Sequence, residues 1–413
     1  MRIAVVGSGI SGLLSAYLLH PGHEVTVFEA EERTGGHTCT VDVAAGGRSF
    51  AVDTGFIVFN ERTYPHFVRL LKTLGVEARP STMSFSVKCP ATGVEFRPST
   101  LNTYFAQRRN LLRPAFYRML LEIRRLRGDL KALAAHGDPS LTLGEYLDRR
   151  GYSAFFRRHF IEPMGAAIWS SPPGALRRFP AAFFARFFVN HGFLELAQPR
   201  WLTVAGGSRN YLGPLTRPFR DRIRTGCAVQ AVRRTDGGIR LRAGGEELDF
   251  EAIVLAVHSD QALSLLCDPS EAERAILGAI PYRENGIALH TDTAILPRRR
   301  RAWAAWNYLV PGDEEAGVSV TYDMNILQGL EAPVEFLVSL NLEGRLDPRR
   351  VLHRARFAHP VYTAAGLAAR GRLEEIQGVR RTYFAGAWCG YGFHEDGVNS
   401  ALSVCRRFGR ELA

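Results

Sequence analysis

Lysine is nearly absent from this chain of 413 residues: only Lys72, Lys88 and Lys131 occur, and every other cation of its 52 Lys and Arg is arginine. Cysteine is also sparse. Cys39, Cys89, Cys227, Cys267, Cys389 and Cys405 are scattered without a CxxC pair, which argues against a zinc module and for free thiols. No metal cluster, P-loop or Ser-His-Asp triad is suggested. No apolar run approaches the ~20 residues of a membrane span; residues 253–257 form a short one. Met1 leads almost at once into the strand-like IAVVG, so no signal peptide is expected and the expected location is cytoplasmic. Repeats and long low-complexity tracts are lacking too. With 46% hydrophobic and 23% charged residues, the composition is that of a globular chain of two or three domains.

The formal net charge is +11, and it is unevenly placed. Residues 101–200 hold 15 Arg and one Lys against seven acidic residues, a surplus of nine. Such a segment suits an anionic partner, nucleic acid or the surface of an anionic membrane. It also reads as helical: in FYRMLLEIRRLRGDLKALAAH apolar residues recur at three- and four-residue spacing. Residues 201–260 read as strands with glycine pairs at the turns, residues 280–345 again as strands, and 381–410 as strand, turn and helix.

The N-terminus predicts a strand over 2–6, a helix over 11–19 and a strand over 24–29, a βαβ start. Between the first two lies VVGSGISGL, with Gly7, Gly9 and Gly12 in G-x-G-x-x-G spacing and Ser11 inside the same turn. Gly7 permits the tight turn, Gly9 lets backbone approach a pyrophosphate, and Gly12 lets helix and strand pack closely. The helix N-terminus then faces phosphate, and Glu29 can accept ribose hydroxyls. A second glycine turn follows, with Arg33, Gly35, Gly36 and His37. NAD does not require it. It makes sense if another segment lies across the same pyrophosphate and leads toward a flavin.

E-x-x-x-R-x-G-G-H resembles the stretch after the second strand in flavin-containing amine oxidases, protoporphyrinogen oxidases and phytoene desaturases. The run VDTGFIVFN resembles the segment beside the isoalloxazine in those proteins, which implies cofactor contacts for Gly55, Phe56 and Ile57. The run TGCAVQAV resembles their adenine-holding strand, implying Val229. DFEAIVLAVHSDQAL resembles the strand returning to the FAD domain, implying Ala256. YFAGAWCGYGFHEDGVNSAL resembles the last FAD motif, implying Gly386 along the ribityl–pyrophosphate region and Gly397 and Val398 opening the final helix under the flavin. The resemblance implies an α/β fold: a Rossmann-like FAD-binding domain (GR2-type flavoprotein) with an inserted α+β substrate domain. The expected FAD-binding part is 1–75, 200–275 and 375–413, and the substrate part 76–199 and 276–374, with the helical basic region inside it.

GFIVFNERTYPHF, WLTVAGGSRNY, TYDMNILQ and AGAWCGYGFHEDGVNSA are further similar to a bacterial flavoprotein group. That group resembles the N-terminal domain fused to plant cyclopropane fatty acid synthases. Its members are associated with methyltransferases acting on unsaturated phospholipid chains. The resemblance implies an acyl-chain substrate and a lipid methyltransferase partner. Two departures separate the chain from amine oxidases. Ala385–Trp388 stands where many of them carry Ala-Gly-Thr-Glu, and no lysine follows Lys131 to sit near flavin N5. Cys389 is not where covalent-flavin cysteines sit in that family, so noncovalent FAD is expected.

For catalysis, His394 and Glu395 precede the flavin-facing helix, and an imidazole there could move a proton; Asp396 beside them reads as a helix cap as well as a catalyst. Tyr322, in TYDMN, is a third candidate, with sheet packing as its alternative. Trp388 and Tyr391 are candidate substrate rings. FPAAFFARFFVNHGF places Phe184 and Phe188 on one helical face, with Phe193 beyond. This stretch reads as a core helix, an acyl-chain tunnel or a membrane-facing plug, and Arg177, Arg178, Arg186 and Arg200 would meet lipid phosphates. The expected activity is hydride removal from a lipid-like substrate by an FAD enzyme, cytoplasmic or peripheral on the membrane's inner face. An amine or polyamine oxidase and a non-catalytic flavin-bearing partner of a lipid methyltransferase are the alternatives. Nucleic acid is not an expected partner.

Overall fold

Strand Arg2–Val6 is almost wholly apolar because both its faces are covered. In the computed structural model, which describes residues 1–138, 140–192, 199–312 and 319–412, it is the centre of a five-stranded parallel sheet. The strand order is 223–224, 24–28, 2–6, 252–255 and 382–384. Helix Ile10–Leu19 leaves the central strand, and helix His394–Arg406 packs along it. An antiparallel meander over 229–250 follows the short strand 223–224. This is the α/β architecture expected from the motifs.

The second body is a seven-stranded mixed sheet, in the order 351–360, 282–290, 337–340, 320–323, 306–309, 85–89 and 94–96. Its two faces differ because strand side chains alternate. One face carries a buried polar chain. Ser86 Oγ donates to Asn307 Oδ1 at 2.8 Å, Asn307 Nδ2 donates to the Thr321 carbonyl, and the Thr321 and Ser339 hydroxyls lie 2.7 Å apart. His290 Nε2 closes the chain on Ser339 at 2.8 Å. The other face carries Trp306, Tyr308, Tyr322, Val338 and Leu340 into a core shared with the helices over 114–190.

Of the three readings of the aromatic stretch, these helices fit the core helix. Phe184 and Phe188 do not face a membrane: both are buried and stack on each other at 4.2 Å. Trp169 lies 5.6 Å from Phe184 and 4.7 Å from Phe187. Helix Ala181–Asn190 is pressed against helix Pro114–His136. Its aromatic stripe is therefore turned inward, and Arg186 is turned to solvent. Phe193 lies outside the described residues. Among the described residues, no helix is long and apolar enough to cross a membrane. Phe184→Ala should cost about 3–5 kcal/mol of unfolding free energy, the range for deleting a core phenylalanine. Urea unfolding measures it, and a loss below about 1 kcal/mol would place the ring outside the core.

Candidate dinucleotide site and adjoining aromatic wall

Gly7, at φ +99°, turns the chain out of the first strand. A Cβ on it would press the Ala256 carbonyl at 2.6 Å, and one on Gly12 would collide with the Gly7 carbonyl. Around a Cβ on Gly9 no atom of the described residues lies within 4 Å. The result is an open cradle at the N-terminus of helix Ile10–Leu19. The second glycine turn lies across it. Gly35 N donates to the Ser8 carbonyl at 2.9 Å, and a Cβ on Gly36 would sit 3.3 Å from Gly9 Cα. Arg33 holds the turn by donating to the Gly36 carbonyl at 2.9 Å.

Glu29 ties the strands to this turn. Its Oε2 accepts from Ser8 N at 2.9 Å and Ser8 Oγ at 2.6 Å, and its Oε1 accepts from Glu31 N at 2.9 Å. An ionised carboxylate has about four acceptor sites, so one remains for a ribose hydroxyl. Cys227 N donates to the Glu29 carbonyl at 2.8 Å, which brings the segment leading to Val229 alongside. On the other side, a Cβ on Gly397 would meet Ile10 Cγ2 at 2.9 Å and Ser11 Oγ at 3.0 Å. Val398 is buried beside it, and Ser400 Oγ accepts from Gly386 N at 2.9 Å. Gly55 fits against the His37 carbonyl, which accepts from Phe56 N at 2.8 Å. Ile57 is buried, and its carbonyl accepts from Thr203. The site thus presents a side-chain-free cradle, a helix N-terminus and a ribose acceptor, which are what the pyrophosphate and ribose of FAD require.

The candidate catalytic and substrate residues have structural partners of their own, and Trp388, His394, Glu395 and Tyr322 are each packed or bonded within the fold. Trp388 does not line a substrate face. Its Nε1 donates to the Val257 carbonyl at 3.0 Å and its ring fills the space left by Gly386, inside the nucleotide-side core. His394 stacks on Phe56 at 3.8 Å and bonds the Tyr211 hydroxyl at 2.9 Å. Burial lowers its pKa to about 3, so the imidazole is neutral at pH 7. Glu395 caps another helix: its carboxylate accepts from His66 N and Phe67 N, both at 2.9 Å, at the start of helix Pro65–Leu74. Burial raises its pKa against those bonds. Tyr322 packs edge-on to Trp306 at 5.1 Å on the sheet's apolar face. Asp396 accepts from Phe393 N at 2.9 Å as the helix's own cap, and burial raises its pKa to about 6.

Tyr391 is half-buried against the apolar core of the second body. It stacks on Phe183 at 4.8 Å, and Phe183 stacks on Tyr362 at 5.0 Å. Phe187 stacks on Phe393 at 5.0 Å. These rings make a wall that runs from the C-terminal glycine motif to Trp169.

Two further groups form only in the fold. Asp53 is buried and accepts from Thr40 Oγ1 at 2.6 Å, Ser208 N at 2.9 Å and Gln328 Nε2 at 3.1 Å. Burial outweighs these bonds and raises its pKa to about 6. A charged residue inside the apolar run FAVDTGF was the one local signal. His37, His359 and His258 also converge, with ring centroids 5.3 and 6.3 Å from His37, beside Phe357 at 4.7 Å. Burial, then the neighbouring imidazoles, holds His37 well below its usual pKa. The three come from segments far apart in the chain, and no spacing announces them.

The chain matches the family of flavin containing amine oxidoreductases over residues 10–303 and belongs to it. It is an FAD-dependent oxidoreductase. A cyclohexylamine oxidase from Brevibacterium oxydans IH-35A shares its fold over 99% of both chains, at TM-score 0.69 and 17% identity. A fatty acid isomerase from P. acnes that produces CLA covers 98% of each chain, at TM-score 0.72 and 16% identity. The L-amino-acid oxidase BjussuLAAO-I of Bothrops jararacussu is 55% identical over 40 residues, 9% of this chain and 8% of that protein. The chain thus matches only a small part of the length of these curated relatives.

Glu29→Ala removes the acceptor that orders the cradle, and FAD affinity should fall by about 1–3 kcal/mol. Titrating apoprotein with FAD reads this, and an unchanged Kd would remove Glu29 from the site. His394 supplies a pH test. Its folded pKa, about 3, lies below the ordinary 6.5. The unfolded chain therefore binds the extra proton, and this stability is present above pH 6.5 and lost as pH falls toward 3. The Tm advantage of the parent protein over His394→Asn should shrink from pH 7 to pH 4. A constant difference would mean the imidazole is not neutral in the fold.

Proposed function

We propose that this FAD enzyme dehydrogenates a lipid-like substrate, such as a methylated or cyclopropanated fatty acyl chain. The observation that carries the reading is Arg370. Its guanidinium lies 5.4 Å from the Phe183 ring centroid and 5.9 Å from that of Tyr391. A cation already on those ring faces repels a protonated amine and attracts a carboxylate or phosphate. The rest of the wall, Trp169, Phe187 and Phe393, is hydrocarbon-like. Among the described residues, the buried Trp169 Nε1 and Tyr362 OH have no hydrogen-bond partner. Both are donors to offer a carbonyl or carboxylate oxygen. The shared fold of the fatty acid isomerase supports the same reading.

FAD, held by the glycine cradle of Gly7, Gly9, Gly12 and Gly397 and by Glu29, would supply the two-electron acceptor for this oxidation. The chain's part is to hold the apolar chain on the aromatic wall, fix its polar end at Arg370 and keep water away. FAD is held noncovalently on this reading. Burial, then Asp396, pushes the Cys389 thiol up to about 12, so it is no nucleophile at neutral pH.

An amine oxidase is the second reading, favoured by the family and by the cyclohexylamine oxidase fold. The purified protein should be yellow, and acid precipitation should release FAD. Anaerobic addition of modified acyl phospholipids or fatty acids should bleach the oxidised flavin, and Arg370→Gln should raise KM more than it lowers kcat. Bleaching by amines alone, with ammonia and peroxide in air, would replace the lipid reading. Reduction by neither class would leave a flavin-bearing partner of a lipid methyltransferase.

A further inference from the structure

Nine large apolar side chains are exposed among the described residues, and five fall within positions 101–121: Leu101, Leu111, Leu112, Tyr117 and Leu121. They form one patch. Helix Leu101–Tyr104, the 3₁₀ turn Arg108–Leu112 and the first turns of helix Pro114–His136 carry them. Tyr117 joins the three, because its hydroxyl donates to the Leu111 carbonyl at 2.8 Å and its ring lies 5.7 Å from Phe105. Leu121 is four residues along the same helix face. Leu112 protrudes furthest, with 87% of its surface exposed, and Leu121 has 68%.

The surround is basic. Glu122 is the one acidic residue between 101 and 127. Its carboxylate is turned inward, accepting from Ser153 N at 2.8 Å and Ser153 Oγ at 2.7 Å, with Arg118 at 3.3 Å. Arg108, Arg109, Arg113, Arg124 and Arg127 have no acidic partner within 4.0 Å among the described residues. Arg108 instead donates to Asn102 Oδ1 at 2.6 Å, and Arg109 to the Gly93 carbonyl.

We infer that this corner docks on an anionic lipid bilayer. Apolar tips rising from a basic surround can enter the acyl region while guanidiniums meet lipid phosphates. The two attractions act on one surface, and charge complementarity selects an anionic lipid surface as the occupant. Phe184 and Phe188, by contrast, are buried and take no part in this surface. Helix Pro114–His136 lies on helix Ala181–Asn190, whose aromatic side chains build the wall, so docking brings that wall's supporting helices against the membrane. The inference is independent of the substrate reading, because vesicle binding is measured without turnover.

The test uses the full FAD-loaded chain and co-sedimentation with vesicles of phosphatidylcholine alone or mixed with phosphatidylglycerol. Binding is expected with the mixed vesicles at low salt, weaker at high salt, and weaker still on phosphatidylcholine. Arg113→Gln and Arg124→Gln should each weaken binding about fivefold. Leu112→Asp with Leu121→Asp should weaken it about tenfold or more. Flavin absorbance and Tm should not change, since these leucines support no core. Leu352→Asp, at an exposed leucine elsewhere, should bind like the parent. The inference is overturned if the parent stays in solution with mixed vesicles at low salt, or if the leucine pair variant still sediments with them. It is equally overturned if size exclusion gives a dimer that the leucine pair dissolves, which would make the patch a self-interface.

Discussion

Everything around the cofactor site depends on backbones touching where side chains would ordinarily hold them apart. Gly12 lies against the Gly7 carbonyl, Gly7 against the Ala256 carbonyl, and Gly397 against Ile10 and Ser11. Helix Ile10–Leu19, strand 252–255 and helix His394–Arg406 can therefore converge on one point. Gly36 then lies over Gly9 with no side chain between them. The cradle is the space left by these contacts, and a methyl group at Gly12 would meet a carbonyl oxygen that cannot move without moving the first strand.

The first turn of the C-terminal helix shows how buried polar groups can serve assembly. His394 joins Tyr211 and Phe56, Glu395 joins the helix Pro65–Leu74, and Asp396 closes its own cap. Each has a pKa displaced by burial, yet each also has a structural partner. Perturbed titration marks candidates for function and equally marks joints. Here one turn locks three separate segments around the site, while the rings of Tyr391 and Phe393, just before it, face the other way into the aromatic wall.

The glycine turns and the β-α-β start were legible because their physics is local: a tight turn, a close approach and a helix start within thirty residues. The helical segment and its aromatic stripe were legible as periodicity. Which way the stripe faced was not. An i,i+4 pair such as Phe184 and Phe188 has the same spacing against a membrane and against Trp169. Trp388 went astray for a related reason: the neighbouring Gly386 leaves room for the indole on the nucleotide side, and only three-dimensional packing reveals the room. The leucines at 111, 112 and 121 attracted no notice, since single apolar residues among arginines carry no pattern until their exposure is known. Glu395 could not be read as a cap, because the helix it caps begins 330 positions earlier.

The parallel sheet draws its strands from 2–6, 24–28, 223–224, 252–255 and 382–384, and the site is closed by the helix that ends at Arg406. Such distant pairings delay folding until both partners exist. During synthesis, the first glycine turn leaves the ribosome while the strand and helix that must close over it are still unmade. The nascent chain would have to keep an apolar half-sheet from wandering through most of translation. FAD can be gripped from both sides only after the polypeptide has passed residue 406, so the holoprotein forms late, and chaperones would meet this protein before its cofactor does.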